Sequence, residues 1–234
     1  MNNSYTVGIL GGMGSYATLD YFKRLLDAIP AEKEWERPRI IIDNRCTMPS
    51  RVRAILYNEK KEELIDNMQE SVESLMNYKV NRIVMICNTA HYFYDTLNQR
   101  VPGFDKKCIH VIKECANVLH EKNVHEVGLL ASEGTIQTSI YENELTKNGI
   151  RIKNPNENQL CKIRELIEAV KTNSINEDTI NEFEKLIQSY DMENIILGCT
   201  ELPILARKLE YNKVNLFDPL DVSIECIKKD FYRG

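Results

Sequence analysis

Residues 82–91 read Arg-Ile-Val-Met-Ile-Cys-Asn-Thr-Ala-His, an apolar run that ends abruptly in a cysteine and small polar residues. A short run rich in β-branched residues predicts a strand buried on both faces, as in a parallel sheet. In open α/β sheets, ligands bind beyond the carboxyl ends of the strands. Cys87 follows such an end and is therefore a candidate for chemistry.

A second stretch of the same kind lies downstream, where residues 194–203 read Asn-Ile-Ile-Leu-Gly-Cys-Thr-Glu-Leu-Pro. Aligning the two stretches places Ile83 on Ile195 and Cys87 on Cys199, an offset of 112 residues. The run Val-Gly-Ile-Leu at residues 7–10 also recurs, as Val-Gly-Leu-Leu at residues 127–130, with an offset of 120 residues. Two similarities in the same order predict an internal duplication.

The duplication predicts an α/β fold of two pseudo-symmetric, doubly wound domains, with mainly parallel sheets and an active-site cleft between them. The first domain is expected to span residues 1–112, with residues 214–234 packing back onto it, and to carry Cys87. The second is expected to span residues 113–213 and to carry Cys199. Periodicity predicts strands near residues 6–10, 39–43, 82–86, 107–111, 126–130, 194–197 and 214–217, and long helices near residues 59–76, 113–121, 158–171 and 177–190.

Composition excludes several classes of protein. The net charge of −5 is spread along the chain, which argues against a nucleic-acid surface. The sequence has no basic leader and no apolar span of membrane length, so we expect a cytoplasmic protein with no membrane partner. Its seven cysteines are an odd number without CxxC pairs, which fits neither a disulfide framework nor a zinc ribbon.

Two equivalent cysteines on facing walls of a cleft suit one reaction in particular. Racemisation removes an α-proton from one face of a planar centre and returns a proton on the other face, so an acid and a base must flank the substrate. A thiol and a thiolate can serve these roles and exchange them with direction. Asn88, Thr89 and Thr200 lie beside Cys87 and Cys199 in sequence and are candidate hydrogen-bond donors to the α-carboxylate of the substrate.

The chain also resembles a known family along nearly its whole length. The blocks at residues 8–14 (Gly-Ile-Leu-Gly-Gly-Met-Gly), 87–91 and 198–203 resemble those of the PLP-independent aspartate/glutamate racemase superfamily, and most closely its aspartate racemase branch. Glutamate racemases usually have histidine where this chain has Glu201. The resemblance implies cofactor-free racemisation of aspartate, or of glutamate, and a homodimer. It further implies that Cys199 serves the L form and Cys87 the D form.

The resemblance also indicates residues that contact an acidic substrate. The family loop Ile-Pro-Asp-Arg-Thr is matched here by Met48-Pro-Ser-Arg-Val52, so Arg51 would hold the side-chain carboxylate, while Ser50 replaces an aspartate. A family lysine in the second half is matched by Lys171. The complete set of expected substrate contacts is Met13, Arg51, Asn88, Thr89, Thr135, Lys171 and Thr200, and no cofactor or metal ligand is expected.

Other functions remain open at this stage. Residues 12–17 formally match a dinucleotide fingerprint, but Asp43 lies about 30 residues beyond the glycines instead of the roughly 20 expected. Cys87 and His91 could form a thiol hydrolase pair. A racemase or isomerase of another small acid, or a non-catalytic two-lobed protein that binds small acids, is also compatible with the sequence.

Overall fold

Seven parallel strands form two sheets in the computed structural model, which describes residues 5–210 and 213–233. The first sheet has the order β2-β1-β3 and the second the order β5-β4-β6-β7. The strands are β1 Thr6–Gly11, β2 Arg39–Asn44, β3 Arg82–Met85, β4 Glu126–Leu130, β5 Arg151–Lys153, β6 Asn194–Leu197 and β7 Asn215–Phe217.

Helices connect the strands and cover both faces of the sheets. They are α1 Ser15–Ala28, α2 Arg51–Tyr57, α3 Lys61–Asn77, α4 Tyr94–Arg100, α5 Phe104–Lys107, α6 Val111–Glu121, α7 Glu133–Gln137, α8 Ile140–Lys147, α9 Glu157–Lys171, α10 Glu177–Gln188, α11 Leu202–Ala206 and α12 Pro219–Arg233. Short 3-10 turns cover Glu34–Glu36 and Thr89–Phe93. Within the described ranges, no helix is both long and apolar enough to cross a membrane.

The predicted internal repeat is present in the strand pairing. Gly8 pairs with Ile83 between β1 and β3, and Gly128 pairs with Ile195 between β4 and β6. The two halves therefore share both strand order and register. Gly128 also lets a helix end approach the sheet closely, because a Cβ there would lie only 2.7 Å from the Tyr190 ring.

Alternate side chains of each buried strand enter different cores, as expected for the strand period of two. Ile9 and Leu129 contribute to a core that both halves share, together with residues of α1, α6, α8 and α12. Leu10 faces a core built with α3 and α4, whereas Leu130 faces a core built with α9 and α10. Each sheet is thus covered on both faces, and the expected doubly wound fold is confirmed.

The structure differs from the sequence-based expectations in three places. The strand predicted at residues 107–111 is reduced to one bridge between Ile83 and Cys108, because α5 and α6 occupy the flanking residues. The short strand β5 was not predicted. Asn215–Phe217 pairs with β6, which assigns it to the second sheet, although residues 214–234 were expected to pack on the first half; α12, which follows β7, does contact α1 of that half. The domain boundary at residues 112 and 113 remains a proposal.

Candidate active site

The loops that leave the carboxyl ends of β1, β3, β4 and β6 meet where the two halves face each other. The turn after β1 contacts the loop after β6, since a Cβ added to Gly14 would lie 2.4 Å from Oε1 of Glu201. The loop after β3 contacts the loop after β4 through the hydroxyl groups of Thr89 and Thr135, which are 2.8 Å apart. The candidate site is therefore bounded by both halves.

Cys87 and Cys199 occupy equivalent positions in these loops. Each lies two residues beyond the last residue of its strand, Met85 in β3 and Leu197 in β6. Cys87 is 9% exposed and Cys199 is half-buried. The two side chains are close enough for the charge of Cys87 to raise the pKa of Cys199.

The Cys199 thiol has a carboxylate partner that Cys87 lacks. It donates a hydrogen bond to Oε2 of Glu201 at 3.0 Å, and the hydroxyl of Thr200 donates to the same oxygen at 3.3 Å. Burial and the adjacent Glu201 raise the pKa of Cys199 well above its usual value, while Lys171 acts in the opposite direction. Cys199 is therefore a protonated thiol at neutral pH.

Glu201 was noted in the sequence only as a difference from glutamate racemases, and its contact with the thiol was missed. It is 2% exposed, and its Oε1 atom has no hydrogen-bond partner in the described structure. Gly14 makes room for this carboxylate, because any larger residue would collide with it. A carboxylate two residues beyond a cysteine at a strand end is the sequence signal that could have identified the pair.

Arg51 is fixed by the backbone and has no carboxylate partner in the described residues. Ser50 caps α2 by accepting a hydrogen bond from the Arg53 amide at 3.3 Å, so Arg51 is the first residue of this helix. Its Nη1 donates to the carbonyl of Pro49 at 3.0 Å, and its Nη2 donates to the carbonyl of Met13 at 2.9 Å. Its Nε is buried without a partner. The guanidinium charge is therefore available to an anionic ligand.

Met13 contributes to this arrangement through its backbone, while its side chain is buried in the core of the first half. The neighbouring Gly12 has a φ of 78°, and a Cβ there would lie 2.2 Å from the carbonyl carbon of Arg45. The glycine turn accommodates protein groups, namely the backbone of Arg45 and the carboxylate of Glu201. This packing disfavours the dinucleotide interpretation.

Asn88 and a group of hydroxyls lie next to Cys87. Asn88 is 2% exposed, and neither its Oδ1 nor its Nδ2 has a hydrogen-bond partner among the residues that the structure describes. Thr89, Ser132 and Thr135 form a hydroxyl triangle, with oxygen–oxygen distances of 2.8, 3.1 and 3.2 Å. The triangle joins the two halves, and the amide group of Asn88, which has no hydrogen-bond partner in the described structure, lies beside it.

Lys171 ends α9 at the margin of the site. Its side chain is 37% exposed, and its ammonium group lies 3.2 Å from a carboxylate oxygen of Glu168. Burial opposes its charge, but Glu201, Cys199 and Glu168 together outweigh this effect and raise the pKa of Lys171. Lys171 therefore reaches the electrostatic environment of the second cysteine, although no direct contact with Cys199 is present.

His91 does not form a catalytic pair with the Cys87 thiol. Its Nδ1 lies 3.1 Å from the carbonyl oxygen of Cys87, and its Nε2 accepts a hydrogen bond from the Val111 amide at 3.4 Å. Both ring nitrogens are thus engaged by the backbone. This geometry disfavours the thiol hydrolase interpretation.

Unpartnered buried polar atoms are concentrated at this site. Seven such side-chain atoms occur in the described part of the chain, and four belong to Arg51, Asn88 and Glu201. Buried polar groups normally have hydrogen-bond partners, and leaving one unpaired costs about 1–3 kcal/mol. The grouping of these atoms around two cysteines indicates a site prepared for a polar ligand. The same described residues contain no group of three or more histidine, cysteine or acidic side chains placed to hold a metal ion.

The chain is similar in sequence and in fold to several racemases. The chain is 27% identical over 202 residues to the broad specificity amino-acid racemase RacX of Bacillus subtilis (strain 168), covering 84% of this chain and 85% of that protein. It is 25% identical over 225 residues to the glutamate racemase of Lactobacillus acidophilus, covering 92% of this chain and 76% of that protein. The fold is similar to that of Picrophilus torridus aspartate racemase, with a TM-score of 0.85, 24% identity and coverage of 98% and 95% of the two chains.

The sequence also matches a family as a whole. The sequence model of the Asp/Glu/Hydantoin racemase family matches residues 10–227, which include both cysteine loops and the loop that carries Arg51. This match confirms the resemblance inferred from the sequence motifs. The chain therefore belongs to the Asp/Glu/Hydantoin racemase family and is an enzyme of the isomerase class.

Proposed function

We propose that this enzyme is an amino-acid racemase that interconverts L- and D-aspartate by proton transfer between Cys87 and Cys199, without PLP, metal or nucleotide. The observation that carries the proposal is the grouping of unpartnered polar atoms from Arg51, Asn88 and Glu201 around the two cysteines. These atoms offer two donors and two acceptors to a small charged ligand. The two thiols supply the acid and the base.

The protonation state of Cys199 in the free enzyme favours one starting arrangement. Cys199 holds its proton because of burial and its hydrogen bond to Glu201, so it is suited to act first as the acid. The Cys87 thiolate takes the α-proton and becomes a thiol. Cys199 gives its proton to the opposite face of the same carbon and becomes a thiolate. The reverse reaction starts from this second arrangement, in which Lys171 offsets part of the charge on Cys199.

The substrate contacts follow from the polar groups that surround the two cysteines. The Asn88 amide and the hydroxyls of Thr89, Thr135 and Thr200 would bind the α-carboxylate, where charge accumulates as the α-proton leaves. Arg51 would bind the side-chain carboxylate, since a guanidinium is well shaped for a two-point contact with such a group.

Lys171 adds a second positive charge from the other half of the protein. An acidic amino acid would thus complete the charge balance of the site. The proposal extends to a homodimer in the cytoplasm, on the basis of the aspartate racemase resemblance.

Deuterium exchange tests the proposed activity directly. L-Aspartate incubated with the enzyme in deuterated water should gain deuterium at Cα and yield D-aspartate on chiral chromatography. L-Glutamate and L-lysine should be run in parallel, because related proteins include a glutamate racemase and a broad specificity racemase. A variant with both Cys87→Ala and Cys199→Ala is the control for adventitious exchange. Absence of exchange with all three substrates would refute the racemase proposal, and equal rates would refute the preference for aspartate.

A further inference from the structure

His91 is a histidine whose chemistry the proposed proton transfers do not use. It is 3% exposed and lies in the 3-10 turn that follows Cys87. Burial and the neighbouring His110 lower the pKa of His91 to about 3, so the ring is neutral under physiological conditions. A neutral imidazole has one nitrogen that donates and one that accepts a hydrogen bond.

The backbone contacts determine which nitrogen carries the proton. The amide of Val111 is a donor, so Nε2 must be the acceptor at the 3.4 Å contact. The proton is therefore on Nδ1, which donates to the carbonyl oxygen of Cys87 at 3.1 Å. The amide of Ala90 donates to the same oxygen at 3.2 Å. Two donors thus fix the peptide plane that joins Cys87 to Asn88.

Val111 is the first residue of α6, and its amide is one of the donors at a helix start that have no partner within the helix. His91 satisfies this donor, while His110 accepts a hydrogen bond from the Lys113 amide at 3.2 Å. The positive end of the helix dipole also disfavours a charged imidazole at this point. The start of α6 therefore holds His91 in the tautomer that donates to Cys87.

We propose that His91 is a positioning residue that couples the start of α6 to the orientation of the Cys87 thiol, without taking part in proton transfer. The effect of His91 on catalysis rests on the proposed function. The hydrogen bonds of His91 position Cys87 and do not involve Cys199. A loss of His91 should therefore impair the chemistry of Cys87 and leave that of Cys199 unchanged.

Two substitutions separate the two hydrogen bonds of the ring. The amide of asparagine reaches about as far as Nδ1, so His91→Asn can retain the donor to the Cys87 carbonyl. The amide of glutamine reaches about as far as Nε2, so His91→Gln can retain only the contact with Val111. His120→Gln is the matched control, because His120 contacts the carbonyl of Asn148 outside the site.

Each cysteine can be assayed separately with β-chloroalanine, since loss of its α-proton leads to elimination of chloride and requires only one base. A Cys199→Ala background reports Cys87, and a Cys87→Ala background reports Cys199. In the first background, His91→Gln should slow elimination at least tenfold, and His91→Asn should recover most of the loss. In the second background, both variants should stay within twofold of their parent. Equal losses in the two backgrounds, no loss in either, or no recovery by asparagine would overturn the inference.

A measurement that does not require turnover distinguishes failure of this inference from failure of the proposed function. Alkylation rates of Cys87 and Cys199 by iodoacetamide, followed by peptide mass spectrometry, should change in ratio for His91→Gln but not for His120→Gln. If the native enzyme neither racemises nor eliminates but the ratio still changes, the proposed function fails and the positioning inference stands. An unchanged ratio overturns the inference.

Val111→Pro provides a second route if His91→Gln does not fold. Proline is tolerated at the first position of a helix and lacks the amide that fixes the tautomer, and it also replaces the buried Val111 side chain by one of similar size. It should shift the alkylation ratio of Cys87 to Cys199 in the same direction as the loss of His91. A ratio equal to that of the native enzyme would overturn the proposed coupling to α6.

Discussion

Replacing Glu201 by glutamine should lower the pKa of Cys199 and increase its thiolate population at neutral pH. The carboxylate oxygen lies 3.0 Å from the sulfur, and two unit charges at this distance interact by about 5.5 kcal/mol at an effective dielectric constant of about 20. One pKa unit corresponds to about 1.4 kcal/mol, which sets an upper bound of about 4 units on the expected decrease. Lys171 already offsets part of this repulsion, so the measured decrease in the pKa of Cys199 should be smaller than this bound.

The pH dependence of alkylation measures this change. Cys46 and Cys161 are exposed thiols, so the assay needs a background in which both are replaced by serine. A decrease of 2 units increases the thiolate population about 100-fold at any pH well below both pKa values, and the alkylation of Cys199 should accelerate accordingly. Glutamine can still accept the thiol hydrogen bond, so the substitution mainly removes charge.

Glu168→Gln is the matched control for this experiment. It removes a carboxylate 3.2 Å from the ammonium group of Lys171, but its side chain is 59% exposed and makes no contact with Cys199. The control should leave the alkylation profile of Cys199 nearly unchanged. A native profile in Glu201→Gln, or equal shifts in the two variants, would refute the assignment of Glu201 as the group that keeps this thiol protonated.

Arg51→Ala should reduce kcat/KM for aspartate by about 2–4 kcal/mol through loss of a desolvated charge pair, whereas Arg53→Ala, on the exposed face of the same helix, should have little effect. Activity should survive EDTA and hydroxylamine, and its abolition by both would contradict a cofactor-free mechanism. Removal of one thiol should confine elimination from β-chloro substrates to one antipode, with Cys87→Ala acting on the L form and Cys199→Ala on the D form. Burial raises the pKa of Asp218 to about 6 and outweighs the opposing charge of Arg24. The protonated Asp218 therefore stabilises the folded protein below about pH 4, and this stabilisation is lost as pH rises through 6. Denaturant titrations of Asp218→Asn at several pH values should not show this loss.

The repeated pattern was sufficient to predict the fold because it reflects burial. Strands covered on both faces are nearly continuous apolar runs, and the two cysteine strands have the same register against their neighbours. The strand β5 was missed because it has three residues, of which only Ile152 is apolar. The prediction of a strand at residues 107–111 was wrong because a short apolar run is also typical of a helix start, and Val111 begins α6.

The candidate site was only partly predictable, since its contacts join residues that are distant in sequence. Cys87, Cys199 and Asn88 follow the ends of predicted strands and could be selected from position alone. The distance between Glu201 and Gly14 depends on how the two halves face each other, which local pattern does not encode. Arg51 was identified by resemblance, but its lack of a carboxylate partner became evident only from its surroundings.

The hydroxyl triangle of Thr89, Ser132 and Thr135 has a consequence for the heat of substrate binding. A hydroxyl can donate and accept, so these three groups satisfy one another in the free enzyme and can rotate toward an incoming carboxylate. Hydrogen bonds from these hydroxyls to the ligand would replace the hydrogen bonds that they make with one another in the free enzyme. Substrate binding by the hydroxyls should therefore release little enthalpy. Arg51 and Asn88 give up no such bonds from their unpartnered atoms. The favourable enthalpy measured by calorimetry should therefore come mainly from these two residues.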